Sequence, residues 1–273
     1  MLLCDTHVHT KFSSDGRSSC DEIAAAAVGR GLDVVCFTDH FDVMTTQPFG
    51  TFYGLGNRLA TYDEPAVRQG VGDFIENYRG KVKFLRGVEL GHPHFIPDKT
   101  ADFIRRGDFD FILGSLHNLP GDLDIYVLDY SPENVRDYIT TYFDQLLLMV
   151  KSGMVDSLAH IDYPFRYIGK NGVSADMSDY KEQVCEILRE LAQAGLALEL
   201  NASSMRHTGR FTPGAWVYRA FAGYGGRYVT FGSDAHGAEQ VGAYIADAMA
   251  YVKSCGVARG AYFEKRRPVE YAL

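Results

Sequence analysis

The chain has 273 residues, 46% of them hydrophobic and 23% charged, with 28 glycines; this is the balance of a folded enzyme and excludes disordered and collagen-like chains. Its 27 basic against 35 acidic side chains leave a formal charge of −8, and the longest basic run is Lys265-Arg266-Arg267, so no footprint for a long nucleic-acid backbone is visible. No stretch approaches the roughly 18 continuous apolar residues of a membrane span, and the N-terminus lacks a basic-then-apolar signal pattern, which predicts a soluble, cytoplasmic protein without membrane partners.

From the N-terminus onward, short apolar runs alternate with polar loops and amphipathic stretches. Strands are predicted over residues 2–7, 33–38, 82–90, 109–116, 155–160, 196–200 and 228–232, and helices over 19–30, 132–152, 178–194, 213–224 and 238–254. Gly31, Gly153 and Gly195 follow helical stretches where a left-handed residue ends the last turn, and Ser131 or Asp129 is placed to cap the helix that has Pro132 in its first turn. Residues 43–65, rich in Gly, Thr, Phe and Tyr and without a period, read as a long loop with short helical pieces arching over one end of the fold. The βα alternation predicts one α/β domain over 1–273, an all-parallel barrel ahead of an open doubly wound sheet, because no glycine-rich phosphate loop follows any strand. Five scattered cysteines without a Cys-x-x-Cys pair argue against a disulfide framework. Cys4 and Cys36 lie in apolar runs as small buried hydrophobes.

Metal-binding residue types fall at the C-terminal ends of these strands, where βα barrels build active sites. In Asp5-Thr6-His7-Val8-His9 the two histidines are two apart on an extended segment and face the same side. Asp15 follows in the next loop, and later strands end in Thr38-Asp39-His40, Gly87-Val88-Glu89, Ser115-Leu116-His117-Asn118, Ala159-His160-Ile161-Asp162 and Gly232-Ser233-Asp234-Ala235-His236. Any one of these is ordinary turn chemistry, but the set predicts a polynuclear metal site. Imidazole and carboxylate without thiolate suit Zn²⁺, Mn²⁺ or Fe²⁺.

At these residues the chain resembles the PHP (polymerase and histidinol phosphatase) family, in its histidinol-phosphatase branch, essentially end to end. Residues 122–129 and Arg267-Pro268-Val269 add weaker likeness to that branch. The resemblance implies a distorted (β/α)7 barrel with parallel strands and two or three divalent ions at their C-terminal ends. His7, His9, Glu89 and Asp234 would hold the first ion; Glu89, as a bridge, with His117 and His160 the second; Asp15, His40 and His236 the third. The family varies at the position of Asp15, so the third ion depends on that loop. Glu89, Asp234 and His236 are the candidate catalytic residues.

Clustered cations bring the pKa of a bound water towards neutrality, so a metal-bound hydroxide is the expected nucleophile on phosphorus. Arg166, six residues after His160, and Arg206, past the sixth strand, are placed to grip phosphate, and both match phosphate-binding arginines implied by the resemblance. The expected partner is a small phosphate ester, most simply L-histidinol phosphate of histidine biosynthesis. Asp162 has two roles open to it, proton donor to the leaving group or support for a ligand's ring nitrogen. Phe49, Phe52, Tyr53 and Tyr163 are placed to line a pocket, although with 17 Tyr and 17 Phe in the chain packing is the simpler role for each. Rival readings are a nucleotide phosphatase or phosphodiesterase of the same family, and an inactive metal-binding domain; a competent residue at every expected ligand position counts against the second.

Overall fold

The computed structural model describes residues 2–54 and 58–273. Strand β1 (Cys4–Val8) leads to helix α1 (Cys20–Gly29), which opens with a capping box: the Ser19 hydroxyl accepts from the Glu22 N–H and the Glu22 carboxylate accepts from the Ser19 N–H. Next come β2 (Val34–Phe37), β3 (His40–Asp42), a hairpin of β4 (Thr51–Tyr53) and β5 (Leu59–Thr61), helix α2 (Glu64–Asn77), β6 (Lys83–Gly91), α3 (Pro97–Gly107) and β7 (Phe111–Ser115). The small ladder of β8 (Asn118–Leu119) and β9 (Leu123–Asp124) precedes α4 (Val135–Lys151), β10 (Ser157–Leu158), α5 (Lys181–Ala194), β11 (Ala197–Asn201), α6 (Ser203–Thr208) and α7 (Ala215–Gly223). The chain then runs through β12 (Val229–Gly232), α8 (Ile245–Ser254) and an antiparallel hairpin, β13 (Arg259–Glu264) and β14 (Arg267–Ala272).

Seven strands, β1, β2, β6, β7, β10, β11 and β12, pair in that order and all in parallel, at the seven places the apolar pattern assigns to strands. The architecture is a distorted α/β barrel. At its seam, between β12 and β1, the described residues form one parallel bridge, Val8 with Ala235, in place of a ladder. Side chains complete the closure: Asp5 accepts from the Ser233 N–H at 2.9 Å, the Ser233 hydroxyl at 2.5 Å and the Gly242 N–H at 2.7 Å, while the Thr6 hydroxyl donates to the Phe231 carbonyl.

The second strand is broken rather than continuous. β2 pairs with the first half of β6, and β3 resumes against its second half with His40 opposite Glu89. The break frees Thr38 and Asp39 for other partners: Thr38 Oγ1 accepts from the Val8 N–H, and the buried Asp39 carboxylate accepts from the N–H and hydroxyl groups of both Thr10 and Ser13. A motif that reads as a strand end thus organises the loop that follows β1.

At the N-terminal mouth the last hairpin folds across the barrel. Phe263 stacks on Phe111, and Arg266 at the turn places Nε 2.9 Å from both oxygens of Asp156, whose Oδ2 also accepts from the Ile112 N–H. The apolar core fills the space between sheet and helices, as where Ile139, Phe143, Leu146 and Val150 form the buried face of α4. Gly31, Gly153 and Gly195 all take the positive φ expected of helix ends.

Local details depart from the sequence pattern. Residues 43–65 contain the β4–β5 hairpin instead of short helical pieces; residues 55–57 of that stretch lie outside the described residues. Helices α2 and α3 occupy chain that the apolar pattern left unassigned; in α2 Gly70 backs onto the Phe12 ring, where a Cβ would approach to 2.2 Å. The helix expected over 238–254 divides into a 3₁₀ turn and α8, since the Gly242 N–H is drawn to Asp5 and both Gly242 and Tyr244 are left-handed. The helix expected from residue 132 starts at Val135, because the Asn134 side chain accepts from the Ser131 N–H and closes a turn first.

Candidate metal centre

Glu89, at the end of β6 and 1% exposed, lies at the middle of the site. Its Oε2 is 3.0 Å from His40 Nδ1, 3.2 Å from His7 Nε2 and 3.4 Å from His9 Nε2; its Oε1 is 2.9 Å from His160 Nε2 and 3.2 Å from His117 Nε2. Asp234 Oδ1, from the end of β12, stands 3.6 Å from both His7 Nε2 and His9 Nε2 and 3.5 Å from His236 Nδ1. Asp15 closes the outer side, with Oδ2 3.2 Å from His236 Nε2 and 3.5 Å from His40 Nε2. The other eight residues of the expected ligand set are therefore gathered around Glu89, directly or through one another. Among the described residues, three groups of donors lie close enough to share an ion: His7, His9 and Glu89; His40, Glu89 and His117; His9, His40 and His236. His9 and His40, as well as the bridging Glu89, each belong to two groups, so the donors interlock more than in the sets drawn from the resemblance, where Glu89 alone is shared.

The tautomers show what this cluster is built to hold. Ser13 Oγ donates its one hydrogen to Asp39 Oδ1, so it accepts from His9 Nδ1–H at 3.2 Å and from the His40 N–H at 3.1 Å. His7 Nδ1–H donates to Glu199 Oε1 at 2.7 Å. Both rings consequently turn an Nε2 lone pair inward, and the two Nε2 atoms face each other at 3.1 Å. Two acceptors at that distance need a positive charge between or beside them. Donors bonded to one ion at about 2.0–2.2 Å and tetrahedral angles lie roughly 3.3–3.6 Å apart, close to the 3.1–3.6 Å that separate His7 Nε2, His9 Nε2 and the oxygens Glu89 Oε2 and Asp234 Oδ1 that face them. Glu89 Oε2 is buried and, among the described residues, has no aligned hydrogen bond. The residues fit a divalent cation.

Without a cation, protons take its place. Burial pulls the His7 pKa down, but Glu199, Glu89 and Asp234 carry it well above the usual imidazole range; His40 behaves alike beside Glu89 and Asp15. Against burial, Asp42 and Glu89 raise His117 to about 10. His9 goes the other way, to about 3, through burial and the neighbouring His236 and His40. Burial alone would raise Glu89, yet His7, His40 and His117 hold its carboxyl well below the usual range.

The site opens into a cavity of about 420 Å³. Tyr53 and Tyr163 line it, whereas Phe52 is buried 5.4 Å from the His40 ring and Phe49 packs edge-on against Phe41. Arg166, on the 3₁₀ turn after β10, lines the cavity with Nη1 3.5 Å from Asp234 Oδ2, and its buried Nε and Nη2 have no hydrogen-bond partner among the described residues. Arg206, on α6, also lines it, but Nη1 donates to the Ser233 carbonyl and Nη2 to the Asp234 carbonyl, which pins Asp234 in its left-handed conformation (φ 52°). Asp162 is buried and does not line the cavity; burial pulls the Arg166 pKa down, and the charges of Asp162 and Asp234 carry it above the ordinary guanidinium value.

Several residues of the site escaped sequence reading. Asp42, on β3, is 3.3 Å from His117 Nδ1. His92, left-handed and fully buried, accepts from the backbone N–H groups of His117 and Asn118. Glu199 on β11, and Asn201 and Ser203, whose side chains reach Asp234 Oδ2 at 3.1 and 3.3 Å, complete the surround. His207 and Tyr167 join the cavity wall. One signal is legible: Glu199 is an acidic residue set between Leu198 and Leu200 in a strand.

A model of the PHP domain matches residues 5–203. The chain is 27% identical over 267 residues to a probable histidinol-phosphatase of Clostridium acetobutylicum, covering 97% of this chain and 98% of that one. It is also 27% identical to the histidinol-phosphatase of Lactococcus lactis subsp. lactis, over 94% of this chain and 92% of that one. The crystal structure of a histidinol phosphate phosphatase from Lactococcus lactis subsp. lactis, complexed with zinc, L-histidinol and phosphate, superposes with a TM-score of 0.80 at 26% identity, covering 98% of each chain. The chain belongs to the PHP domain family.

Proposed function

We propose that this protein is a metal-dependent phosphomonoesterase that hydrolyses L-histidinol phosphate to L-histidinol and phosphate. The observation that carries the chemistry is the pair of His7 and His9 lone pairs held 3.1 Å apart beside Glu89 and Asp234, in a cavity also lined by Arg166, whose Nε and Nη2 have no hydrogen-bond partner among the described residues. Support for the substrate comes from relatives of nearly equal length bearing that activity's name and from the ligands of the structural neighbour.

His7, His9, Asp15, His40, Glu89, His117, His160, Asp234 and His236 would hold two or three zinc, manganese or iron ions. When bound, such ions supply a water nucleophile at neutral pH and offset the charge of the phosphoryl group. The chain's own residues do the rest. The Arg166 fork, its central carbon 5.6 Å from the Tyr163 ring centroid and its charge kept by Asp162 and Asp234, is shaped for two phosphate oxygens. Arg206 lines the same cavity while holding the Asp234 turn. The tyrosine-lined side of the cavity, with Tyr53, Tyr163 and Tyr167, suits an imidazole and an amine.

The test is phosphate release from L-histidinol phosphate against nucleoside monophosphates and sugar phosphates, with metal-stripped protein reloaded separately with Mn²⁺, Zn²⁺ or Fe²⁺. A preference of about a hundredfold or more in kcat/KM, the scale that one or two placed pocket contacts reach, is expected. Equal rates across the panel would remove the substrate assignment.

A further inference from the structure

The sixth barrel strand, β11, contributes no residue to the proposed ligand set, yet it carries Glu199, a carboxylate with no exposed surface. Among the described residues its only ion-pair partner is His7, 192 positions away in sequence. The two oxygens hold different elements: Oε1 accepts from His7 Nδ1–H of β1 at 2.7 Å, and Oε2 accepts from the backbone N–H of His160, after β10, at 2.9 Å. Reaching His7 means passing β12, and the chain has a glycine at that place. A Cβ on Gly232 would lie 2.5 Å from Glu199 Oε1 and 2.3 Å from His7 Cβ. Burying a carboxylate is costly unless its oxygens are paired, so a residue retained at this depth with these two partners is built around them.

We infer that Glu199 is a positioning residue of the metal centre: it fixes the tautomer and ring plane of His7 and the backbone at His160, so that ligands from opposite sides of the barrel seam converge on Glu89. This rests on the proposed metal site. The ionised carboxylate only accepts hydrogen bonds, so it permits only the His7 tautomer that turns a lone pair towards the cation position. An amide in its place could donate to Nδ1 and turn a proton inward.

The experiment compares the metal-loaded wild type with Glu199→Gln, a change of nearly equal volume. Zinc retention is read by chelator titration, and kcat and KM by phosphate release from L-histidinol phosphate. Loss of an orienting partner of this kind costs about 10–100-fold in metal affinity or activity. We expect half-release of zinc at a chelator concentration lower by that factor and a kcat reduced on the same scale, with KM within about twofold. In a His7→Gln background the second change is expected to add nothing. Unchanged retention in the single variant, or additive loss in the double variant, would overturn the inference. Should Glu199→Gln not fold, ¹⁵N–¹H spectra of the zinc-loaded wild type decide the matter. A slowly exchanging Nδ1–H, identified as His7 by its absence in His7→Gln, supports the inference, and a His7 ring proton on Nε2 overturns it. Chelator titration and spectra need no substrate, so a chain that hydrolyses none of the phosphate esters would sink the proposed activity while leaving this inference to its own test.

Discussion

The two mouths of the barrel treat buried charge in different ways. At the N-terminal mouth Asp156 is matched by Arg266 and by the Ile112 N–H, and the last hairpin seals the opening with Phe263 on Phe111. At the C-terminal mouth Glu89 and Asp234 are surrounded by imidazoles whose lone pairs also point inward, and Glu89 Oε2 and two nitrogens of Arg166 have no aligned partner among the described residues. The first arrangement is complete as it stands and serves stability. The second is complete only with cations and a phosphate, and its cost is borne because those ligands return it on binding.

Within the C-terminal mouth a second contrast appears. His7 and His117 are backed by the buried carboxylates Glu199 and Asp42. The outer donors Asp15 and His236, about a fifth exposed at their side chains, are held mainly by each other and by the loop that Asp39 ties down. Gly16 belongs to this tie, since a Cβ there would meet the Thr10 carbonyl oxygen at 1.8 Å.

These contrasts can be broken in order of expected effect. Glu89→Gln removes the negative charge shared by five imidazoles; kcat is expected to fall by at least about a hundredfold, with loss of more than one equivalent of metal by elemental analysis. Asp42→Asn takes the brace from His117 and is expected to cost about 10–100-fold in metal affinity. An equal effect of Asp15→Asn would erase the distinction between braced and outer donors. For that outer change we expect a drop of about tenfold or less, with one equivalent of metal lost and the others retained. Arg266→Met acts at the other mouth: kcat within twofold of wild type, and about 2–3 kcal/mol less stability in a denaturant melt, because Asp156 is left buried beside an apolar chain.

Acidification sharpens the same comparison. The raised pKa values of His7, His40 and His117 mean that these rings carry protons at neutral pH until a cation displaces them. Metal binding is therefore expected to release protons and to weaken as pH falls from 8 to 6, by up to about tenfold per pH unit for each proton displaced. Calorimetry in two buffers of different ionisation enthalpy measures the number released. A value near zero would show that the rings are already neutral.

The amino-acid sequence by itself determined the seven-strand order, the inward pair His7 and His9, and the placement of Glu89, His117, His160 and Asp234 at strand ends. Those features follow from local periodicity: an extended strand turns alternate residues to one side, and apolar runs mark the strands whatever surrounds them. Asp15 was placed through a loop and depended on Asp39, 24 residues later, for its position. The tertiary structure alone decided how Asp5 closes the seam, how Arg206 pins the Asp234 turn, how Asp42 backs His117 and how Glu199 reaches His7 past Gly232. Each of these joins residues from different strands or loops, separated by between 27 and 237 positions where hydrogen bonds connect them. No local period encodes such pairs. They exist because closing a barrel brings distant side chains into an interior with too little water to satisfy them, so that they must satisfy one another.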